Sequence, residues 1–448
     1  MRSFDLIIIG TGSGNSVVGP EYDDWDIAIV ERALFGGTCL NVGCIPSKML
    51  AYTAEMAESA GNGERYGIDT RFVGADWAAI RDRVFGRIDP IAAAGEQYRK
   101  NLPNVTVYGA DARFVGPKQL QVGQETITAD KIVLAAGARA FVPDIAGLSE
   151  SGFHTSDTIM RIDAVPKRLT VIGGGYIAAE LGNVFGSLGS EVTFLLRGHT
   201  MLRSQDAAIS ERFTEVYADR FQVRKGVSID EVRRDGNEIV IETNDGEYRS
   251  DELLVAAGRI PNGDQLQVAA TGVATDDAGY VTTDAQLRTS VEGIWALGDI
   301  ANRIQLKHVA NHEARVVSHN LIHPDDPAEV DHRFIPAAVF ANPQIASVGL
   351  TEQQCSQAGL PYRVAVNQYA STAYGWAMED TESFCKLIVD TETRRLLGAH
   401  LLGPQASILI QQLIQAMVFD LSVDDIATKQ YYIHPALPEV VEQALLEL

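Results

Sequence analysis

The 448-residue sequence predicts an α/β fold in which two similar βαβ units are followed by a C-terminal α+β domain. Two segments, beginning near Phe4 and Arg168, each place a short apolar strand before a glycine-rich turn and a helix. After about residue 330, such turns become sparse, and alternating apolar and polar residues favour an antiparallel sheet. The length corresponds to about three domains, in agreement with this division.

The composition excludes several classes of protein. Hydrophobic residues make up 46% of the chain and charged residues 21%, as in an ordinary globular protein. A net charge of −22 makes nucleic acid or an anionic membrane surface unsuitable as a main partner. No apolar run approaches the roughly 18 residues of a membrane span, and the N-terminus lacks the features of a signal peptide. Four cysteines are too few for a disulfide-stabilised scaffold, so we expect a cytoplasmic location.

The first unit has most of a dinucleotide-binding fingerprint. The strand Phe4 to Ile9 runs into a turn that contains Gly10, Gly12 and Gly14, and a second strand, Asp26 to Val30, ends at Glu31. Glycines let the backbone approach a pyrophosphate, and an acid about 20 residues further on binds a ribose hydroxyl. The third glycine of the usual pattern is replaced by Asn15. Without the acid, a tight strand–helix turn would be a strong alternative interpretation.

The second unit repeats this pattern but differs at the ribose position. A strand over Leu169 to Ile172 is followed by three glycines that include Gly173 and Gly175, by a predicted helix over Tyr176 to Leu188, and by a strand over Glu191 to Leu196. The residue after that strand is Arg197, and Arg203 follows six positions later. Arginine accommodates a 2′-phosphate through charge-assisted hydrogen bonds. The second unit is therefore predicted to bind NADPH in preference to NADH.

The remaining segments of the chain point less specifically to a function. Short buried strands that end in small residues are predicted at Lys131 to Gly137 and Leu253 to Arg259, and another precedes Asp299. Asp299 is either a ligand for a polyhydroxyl chain or an ordinary turn aspartate. In the C-terminal region, strands are predicted at Ala337 to Phe340 and Phe384 to Val389, and a helix at Gln405 to Val418.

The segment GGTCLNVGCIPSK, residues 36–48, places Cys39 and Cys44 five residues apart. In a regular α-helix this spacing separates the Cα atoms by more than about 8 Å, whereas a disulfide needs about 4.4–6.8 Å. A bridged pair would therefore require a distorted turn, which Asn41 and Gly43 favour, and such a bridge is easily reduced. Two buried free thiols are the alternative for an arbitrary pair. Cys355 and Cys385 have no close partner and are interpreted as ordinary thiols.

This segment resembles the redox-active element of the pyridine nucleotide-disulfide oxidoreductases. The resemblance extends along nearly the whole chain, through both glycine-rich turns, Ala135 to Gly137, AAGR, LGD and a C-terminal His-Pro pair. It implies two Rossmann-like dinucleotide-binding domains, for FAD and NADPH, and a C-terminal α+β dimerisation domain. The implied boundaries are 1–147 for FAD, 148–262 for NADPH, 263–330 for a return to the central FAD domain, and 331–448 for the interface.

The resemblance also implies a role for individual residues. Lys48 lies near the flavin and pairs with Glu180, although a lone lysine is more commonly a surface charge. Tyr176 matches a gate over the nicotinamide pocket, although it would also suit a plain core position. No metal site is predicted. The implied cofactor-binding residues are Gly10, Gly12, Gly14, Glu31, Thr38, Lys48, Asp299, His308, Gly173, Gly175, Tyr176, Glu180, Arg197, Arg203 and Gly258.

The resemblance implies that Cys39 attacks a small-molecule disulfide while Cys44 contacts the flavin as a thiolate. His434 would be the acid–base group, for which a pKa near 6.5 is suited, and Glu439 would orient its ring. In this family the histidine serves the cysteine pair of the opposite subunit, so a homodimer is expected. A flavoprotein that binds or senses without turnover is the alternative from another class, and the four catalytic residues argue against it.

Several stretches resemble the branch of the family that reduces mycothione, the disulfide of a sugar thiol. They are GTGSGNS, FGRIDPIA, LKHVANHEARVV, AYGWAMEDT and IHPALPEVVE. Reduction of another low-molecular-weight disulfide, of the glutathione type, and a dihydrolipoamide dehydrogenase-like activity are the alternatives within the family.

Overall fold

The computed structural model describes residues 1–448, and its first sheet is built on the N-terminal strand. The elements are β1 (Arg2–Ile9), β2 (Ile27–Val30), α1 (Gly37–Asn41), α2 (Cys44–Gly61), α3 (Trp77–Lys100), β3 (Val105–Tyr108), β4 (Ala112–Gly116), β5 (Gln119–Val122), β6 (Glu125–Leu134) and β7 (Ala138–Ala140). The sheet order is β3-β2-β1-β6-β5-β4, and β3, β2, β1 and β6 are mutually parallel. The strand predicted to reach Gly137 ends at Leu134, because residues 135–137 leave the sheet.

A second parallel sheet follows. Its region contains α4 (Ser156–Ile159), β8 (Arg168–Ile172), α5 (Tyr176–Ser187), β9 (Glu191–Leu196), α6 (Ala207–Arg220), β10 (Gln222–Lys225), β11 (Ile229–Asp235), β12 (Glu238–Thr243), β13 (Gly246–Ser250), β14 (Glu252–Val255) and β15 (Arg259–Pro261). The parallel order is β10-β9-β8-β14, while β11, β12 and β13 form an antiparallel sheet. Buried Val232, Ile239 and Ile241 join the two sheets in one core with Ile172 and Val255.

The chain then returns to the first sheet. The strand β16 (Ile294–Ala296) pairs in parallel with the C-terminal half of β6, and α7 (Lys307–Ile322) follows it. The chain leaves the first parallel sheet after β6 and the second after β14. The two segments that follow pair with each other, since β7 and β15 form a two-stranded antiparallel ladder. This arrangement places the carboxyl ends of both parallel sheets near one junction.

The C-terminal region has a five-stranded antiparallel sheet covered by helices. Its elements are β17 (Ala337–Val339), β18 (Ile345–Gly349), α8 (Glu352–Gln357), β19 (Tyr362–Gln368), α9 (Ala373–Ala377), β20 (Phe384–Asp390), β21 (Leu396–Leu402), α10 (Ala406–Leu409), α11 (Gln411–Val418), α12 (Val423–Thr428) and α13 (Pro438–Leu446). The order is β17-β18-β21-β20-β19. The predicted helix at Gln405 to Val418 is in fact two short helices that meet at Ile410.

Candidate active site

A cavity of about 940 Å³ lies at the carboxyl ends of the first sheet, between that sheet and the helices α2 and α5. Ten of the residues singled out from the sequence line it: Gly10, Gly12, Glu31, Thr38, Cys39, Cys44, Lys48, Tyr176, Glu180 and Asp299. The others lie outside it: Gly14, Gly173, Gly175, Arg197, Arg203, Gly258, His308, His434 and Glu439. The structure therefore brings the cysteine pair together with the first glycine-rich turn, but not with the proposed acid–base histidine.

The first turn fits a dinucleotide. Gly10 has a φ of 102°, and a Cβ there would overlap the carbonyl oxygen of Ala135, so only glycine allows the ends of β1 and β6 to approach this closely. A Cβ on Gly12 would meet nothing within 4 Å, so this part of the backbone is open to the cavity. A pyrophosphate can reach such a backbone directly.

Glu31 orders the same turn from the end of β2. Its Oε2 accepts hydrogen bonds from the Thr11 backbone N (2.9 Å) and from Thr11 Oγ1 (2.7 Å). Its Oε1 accepts from the backbone N of Ala33 at 2.9 Å. The carboxylate is thus held at the cavity wall by three hydrogen bonds from the protein itself, at the end of the second strand.

Cys39 and Cys44 lie on either side of a break in the helix. Helix α1 ends at Asn41 and α2 begins at Cys44, so the five-residue spacing does not follow regular helical geometry. The Asn41 Nδ2 holds this break by donating to the carbonyl oxygens of Phe35 (2.9 Å) and Gly37 (3.1 Å). The structure has both cysteines as free thiols on the cavity wall.

The environments of the two thiols are unequal. A hydrogen bond from Cys39 to Cys44 favours the Cys44 thiolate, and together with the charge of Lys48 it lowers the pKa of Cys44 to about 7 against the effect of burial. The same hydrogen bond, reinforced by burial, raises the pKa of Cys39 well above its usual range. Cys44 is therefore the thiol that carries the negative charge when the pair is reduced.

Lys48 is fixed beside this pair by contacts from two other parts of the fold. Its Nζ lies 2.6 Å from Oε2 and 2.8 Å from Oε1 of Glu180, whose side chain is only 5% exposed. Glu180 Oε1 also accepts from the backbone N of Phe340 at 2.9 Å, and the Phe340 ring lies 4.8 Å from Lys48 Nζ. The ammonium group is thereby held at the cavity wall near Cys44.

Elsewhere on the cavity wall, burial raises the pKa of Asp299, and it raises the pKa of Tyr176 to about 12, so the phenol is neutral at ordinary pH. Sequence reasoning missed Lys307 here, although it lies within the quoted stretch LKHVANHEARVV. Its Nζ donates to Ser13 Oγ at 3.1 Å, and it lines the cavity at the start of α7. The neighbouring His308 contacts the carbonyl oxygen of Pro336 through Nε2 at 2.8 Å, outside the cavity.

The second glycine-rich turn and its arginines form a separate region. A Cβ on Gly173 would overlap the carbonyl oxygen of Ala256, whereas one on Gly175 would meet nothing within 4 Å, as at the first turn. Gly258, with a φ of 141°, follows the neighbouring strand β14. Arg197 and Arg203 lie beyond the end of β9, are exposed, and make no hydrogen bond or ion pair within the chain. Both guanidinium groups are free to bind an anion.

His434 and Glu439 are paired at the protein surface. The His434 Nδ1 lies 2.7 Å from Glu439 Oε1, while Oε2 accepts from the backbone N of Ala436 at 3.1 Å. The hydrogen bond with His434 lowers the pKa of Glu439, so the carboxylate is charged. The His434 side chain is 73% exposed, and the neighbouring Tyr431 is fully exposed. Within one chain, the His434–Glu439 pair contacts no cysteine thiol with which it could exchange a proton.

Family models match both parts of the chain. Residues 4–314 match the pyridine nucleotide-disulphide oxidoreductase model, and residues 335–445 match the dimerisation domain of the same family. The chain belongs to this family. It is therefore an oxidoreductase of the disulfide-reductase type, and membership implies a flavin and a pyridine nucleotide as cofactors. The predicted fold class is confirmed as well.

The similar proteins include several enzymes of this family. Mycothione reductase from Mycobacterium tuberculosis is 47% identical over 461 aligned residues, which cover 100% of both chains. Dihydrolipoyl dehydrogenase from Haloferax volcanii is 32% identical over 98% of this chain and 95% of its own length. Among solved structures, the HOCl-induced flavoprotein disulfide reductase RclA from Escherichia coli matches with a TM-score of 0.89 and 26% identity, covering 100% of both chains.

No helix is both long enough and apolar enough to cross a membrane. No group of three or more His, Cys, Asp or Glu side chains is arranged to hold a metal ion.

Proposed function

We propose that this protein reduces mycothione to mycothiol with electrons from NADPH. The observation that carries the substrate assignment is the 47% identity with a mycothione reductase over the full length of both chains. The cysteine pair, the lysine–glutamate pair and the two free arginines supply the chemistry that such a reaction needs.

The choice of NADPH over NADH rests on Arg197 and Arg203. Both lie beyond the end of β9, where a ribose-binding acid would stand in an NAD-binding unit. Because neither guanidinium has a partner within the chain, both are available to a 2′-phosphate. Gly173 and Gly175 form the turn after β8, Gly258 follows β14 of the same sheet, and Tyr176 begins the helix that follows the turn.

For the first unit, FAD is the flavin proposed, and Gly10, Gly12, Gly14, Glu31, Thr38, Lys48 and Asp299 are the residues proposed to hold it. His308 is kept as a weaker candidate, because its ring contacts Pro336 instead of the cavity. A flavin held by these residues would supply two-electron redox chemistry between reduced nicotinamide and the cysteine pair. Lys48, held by Glu180, provides a positive charge at the cavity wall for this transfer.

The unequal thiols support separate roles for the two cysteines. Cys44, whose pKa is lowered, would be the thiolate on the flavin side, and Cys39 would attack the substrate disulfide. The attacking thiol must lose its proton and the leaving thiol must gain one. With Glu439 orienting its ring, His434 would transfer those protons.

A homodimer would complete the site. The exposed His434–Glu439 pair lies outside the cavity that contains Cys39, and residues 335–445 match the family's dimerisation domain. We therefore propose that His434 serves the cysteines of the partner subunit. The domain boundaries 1–147, 148–262, 263–330 and 331–448 and a cytoplasmic location remain part of this proposal. The pairing of β16 with β6 supports the return of the third segment to the first domain.

A panel of disulfides tests the function. The flavin-loaded protein is assayed with NADPH or NADH and with mycothione, glutathione disulfide and lipoamide, and Cys39→Ser serves as the inactive control. We expect turnover with NADPH and mycothione to exceed that with every other pair. Preferred turnover of glutathione disulfide or lipoamide would overturn the substrate assignment, and absence of turnover with every acceptor would favour a binding or sensing flavoprotein.

A further inference from the structure

An ion cluster built on a buried lysine–aspartate pair joins helix α6 to the C-terminal sheet. Lys386, on β20, has a side chain only 4% exposed, and its Nζ lies 2.8 Å from Oδ1 of the fully buried Asp206. The same Nζ lies 2.6 Å from Oε2 of Glu352, at the start of α8. Lysine and aspartate are almost never buried unless they are paired. Along the chain, Lys386 is 180 positions from Asp206 and 34 positions from Glu352, so the cluster forms only when these distant parts of the chain pack together.

Asp206 is the centre of this cluster because its carboxylate contacts two helix N-termini at once. Its Oδ1 accepts from the backbone N of Ala208 and so caps α6, while its Oδ2 accepts from the backbone N of Glu352 at 2.9 Å. Burial raises the pKa of Asp206, but the hydrogen bonds from Lys386 and Glu352 outweigh this effect and lower it. The carboxylate is therefore charged and fully hydrogen-bonded.

The cluster lies at the end of the segment that carries the two free arginines. Residues 197–206 connect β9 to α6, and Arg203 is three positions before Asp206. Leu202 N donates to the carbonyl oxygen of Gly174 (2.6 Å), and buried Met201 N donates to Thr214 Oγ1 at 2.9 Å. The segment is thus attached to the glycine-rich turn, to α6 and, through Asp206, to the C-terminal domain.

We propose that Asp206, Lys386 and Glu352 are positioning residues that hold the 197–206 segment in the geometry that recognises a coenzyme 2′-phosphate. The proposal rests on the assignment of Arg197 and Arg203 made above. Replacing a buried ion pair by apolar residues often costs a fold no stability, and in some proteins such a pair instead specifies one conformation. Here the fixed geometry is the position of the segment relative to the second glycine-rich turn.

Nucleotide binding to the flavin-loaded protein tests the proposal. Asp206→Asn keeps a helix cap and removes the charge, while Lys386→Met keeps the side-chain volume and removes the ammonium group. We expect both variants to bind adenosine 2′,5′-bisphosphate about five- to tenfold more weakly, because a displaced guanidinium loses part of a charge-assisted contact. Binding of adenosine 5′-monophosphate, which lacks the 2′-phosphate, should change less than about twofold by the same argument.

Arg220→Gln is the matched control. Arg220 is the last residue of α6 and binds Glu58 and the carbonyl oxygen of Asn342, so it also joins this helix to other domains, but at the end away from the arginines. If the control and the two variants weaken both nucleotides equally, the cluster is merely structural and the proposal is overturned. Unchanged binding of the bisphosphate in folded variants overturns it as well.

Two further outcomes must be distinguished from failure of the positioning role: variants that do not fold, and failure of the NADPH assignment itself. If Asp206→Asn and Lys386→Met do not fold, Glu352→Gln takes their place, since it leaves the Lys386–Asp206 pair intact and replaces a carboxylate that is 37% exposed. Selective weakening of the bisphosphate in that variant supports the proposal, and no selectivity overturns it. If the unmodified protein does not prefer the bisphosphate to the monophosphate, the NADPH assignment fails, and the positioning role fails with it.

Discussion

The unequal cysteines allow a direct test of the site in the reduced protein. Cys39→Ala should raise the pKa of Cys44, because the hydrogen bond from Cys39 is the largest influence that lowers it. Cys39→Ser should raise it much less, since the serine hydroxyl is still able to donate a hydrogen bond. In both variants Cys44 is the one accessible thiol, because Cys355 and Cys385 are completely buried.

The expected size of the effect follows from the pKa itself. With a pKa of about 7, Cys44 is half thiolate at pH 7 and about one-tenth thiolate at pH 6. Without the hydrogen bond, burial still raises the pKa and only the charge of Lys48 remains to lower it substantially. We therefore expect a pKa above about 8 in Cys39→Ala, at which less than about one-tenth of Cys44 is thiolate at pH 7.

The pH dependence of alkylation by iodoacetamide measures this pKa, because only the thiolate reacts. The ultraviolet absorbance of the thiolate gives an independent value of the Cys44 pKa. Adding Lys48→Met to Cys39→Ser should raise this pKa further, because it removes the positive charge. Equal midpoints in Cys39→Ser and Cys39→Ala would show that the hydrogen bond does not govern Cys44. A midpoint near the ordinary value in Cys39→Ser would refute the whole electrostatic account of the pair.

The remaining predictions concern the coenzyme, the two cysteine roles and the dimer. Replacing Arg197 and Arg203 by neutral residues should raise KM for NADPH by one to three orders of magnitude, with little change for NADH, since one charge-assisted contact is worth about 1.5–3 kcal/mol and two contacts to the same phosphate are less than additive; a wild-type preference for NADH in steady-state assays would contradict this. Cys39→Ser should stop disulfide reduction but retain the long-wavelength absorbance of a thiolate beside the flavin, whereas Cys44→Ser should lose it, and the reverse pattern would exchange the two roles. His434→Gln should block thiol–disulfide exchange while NADPH still reduces the flavin in stopped-flow measurements. Mixed dimers of His434→Gln and Cys39→Ser subunits should regain activity, since each has one site without either change, and inactive mixed dimers of confirmed composition would place the base in its own subunit.

Sequence alone determined the parts of this protein that depend on neighbouring residues. A run of apolar residues followed by closely spaced glycines has few stable conformations other than a buried strand and a tight turn, so β1 and β8 and the turns after them were predictable. The charge at the end of β9 is likewise a local property, and Arg197 needs no tertiary structure to be identified. The family could be inferred because its redox element, GGTCLNVGCIPSK, is continuous in the chain.

Only the tertiary structure decided which distant side chains meet. The backbone contact of Glu180 with Phe340, the place of Lys307 on the cavity wall and the position of His434 outside it all depend on how distant parts of the chain pack. The same holds for Asp206 and Lys386, which a sequence pattern has no means of linking across 180 positions. The physical reason is that local patterns determine backbone conformation and burial, whereas an ion pair or a cavity depends on the relative placement of whole sheets and helices.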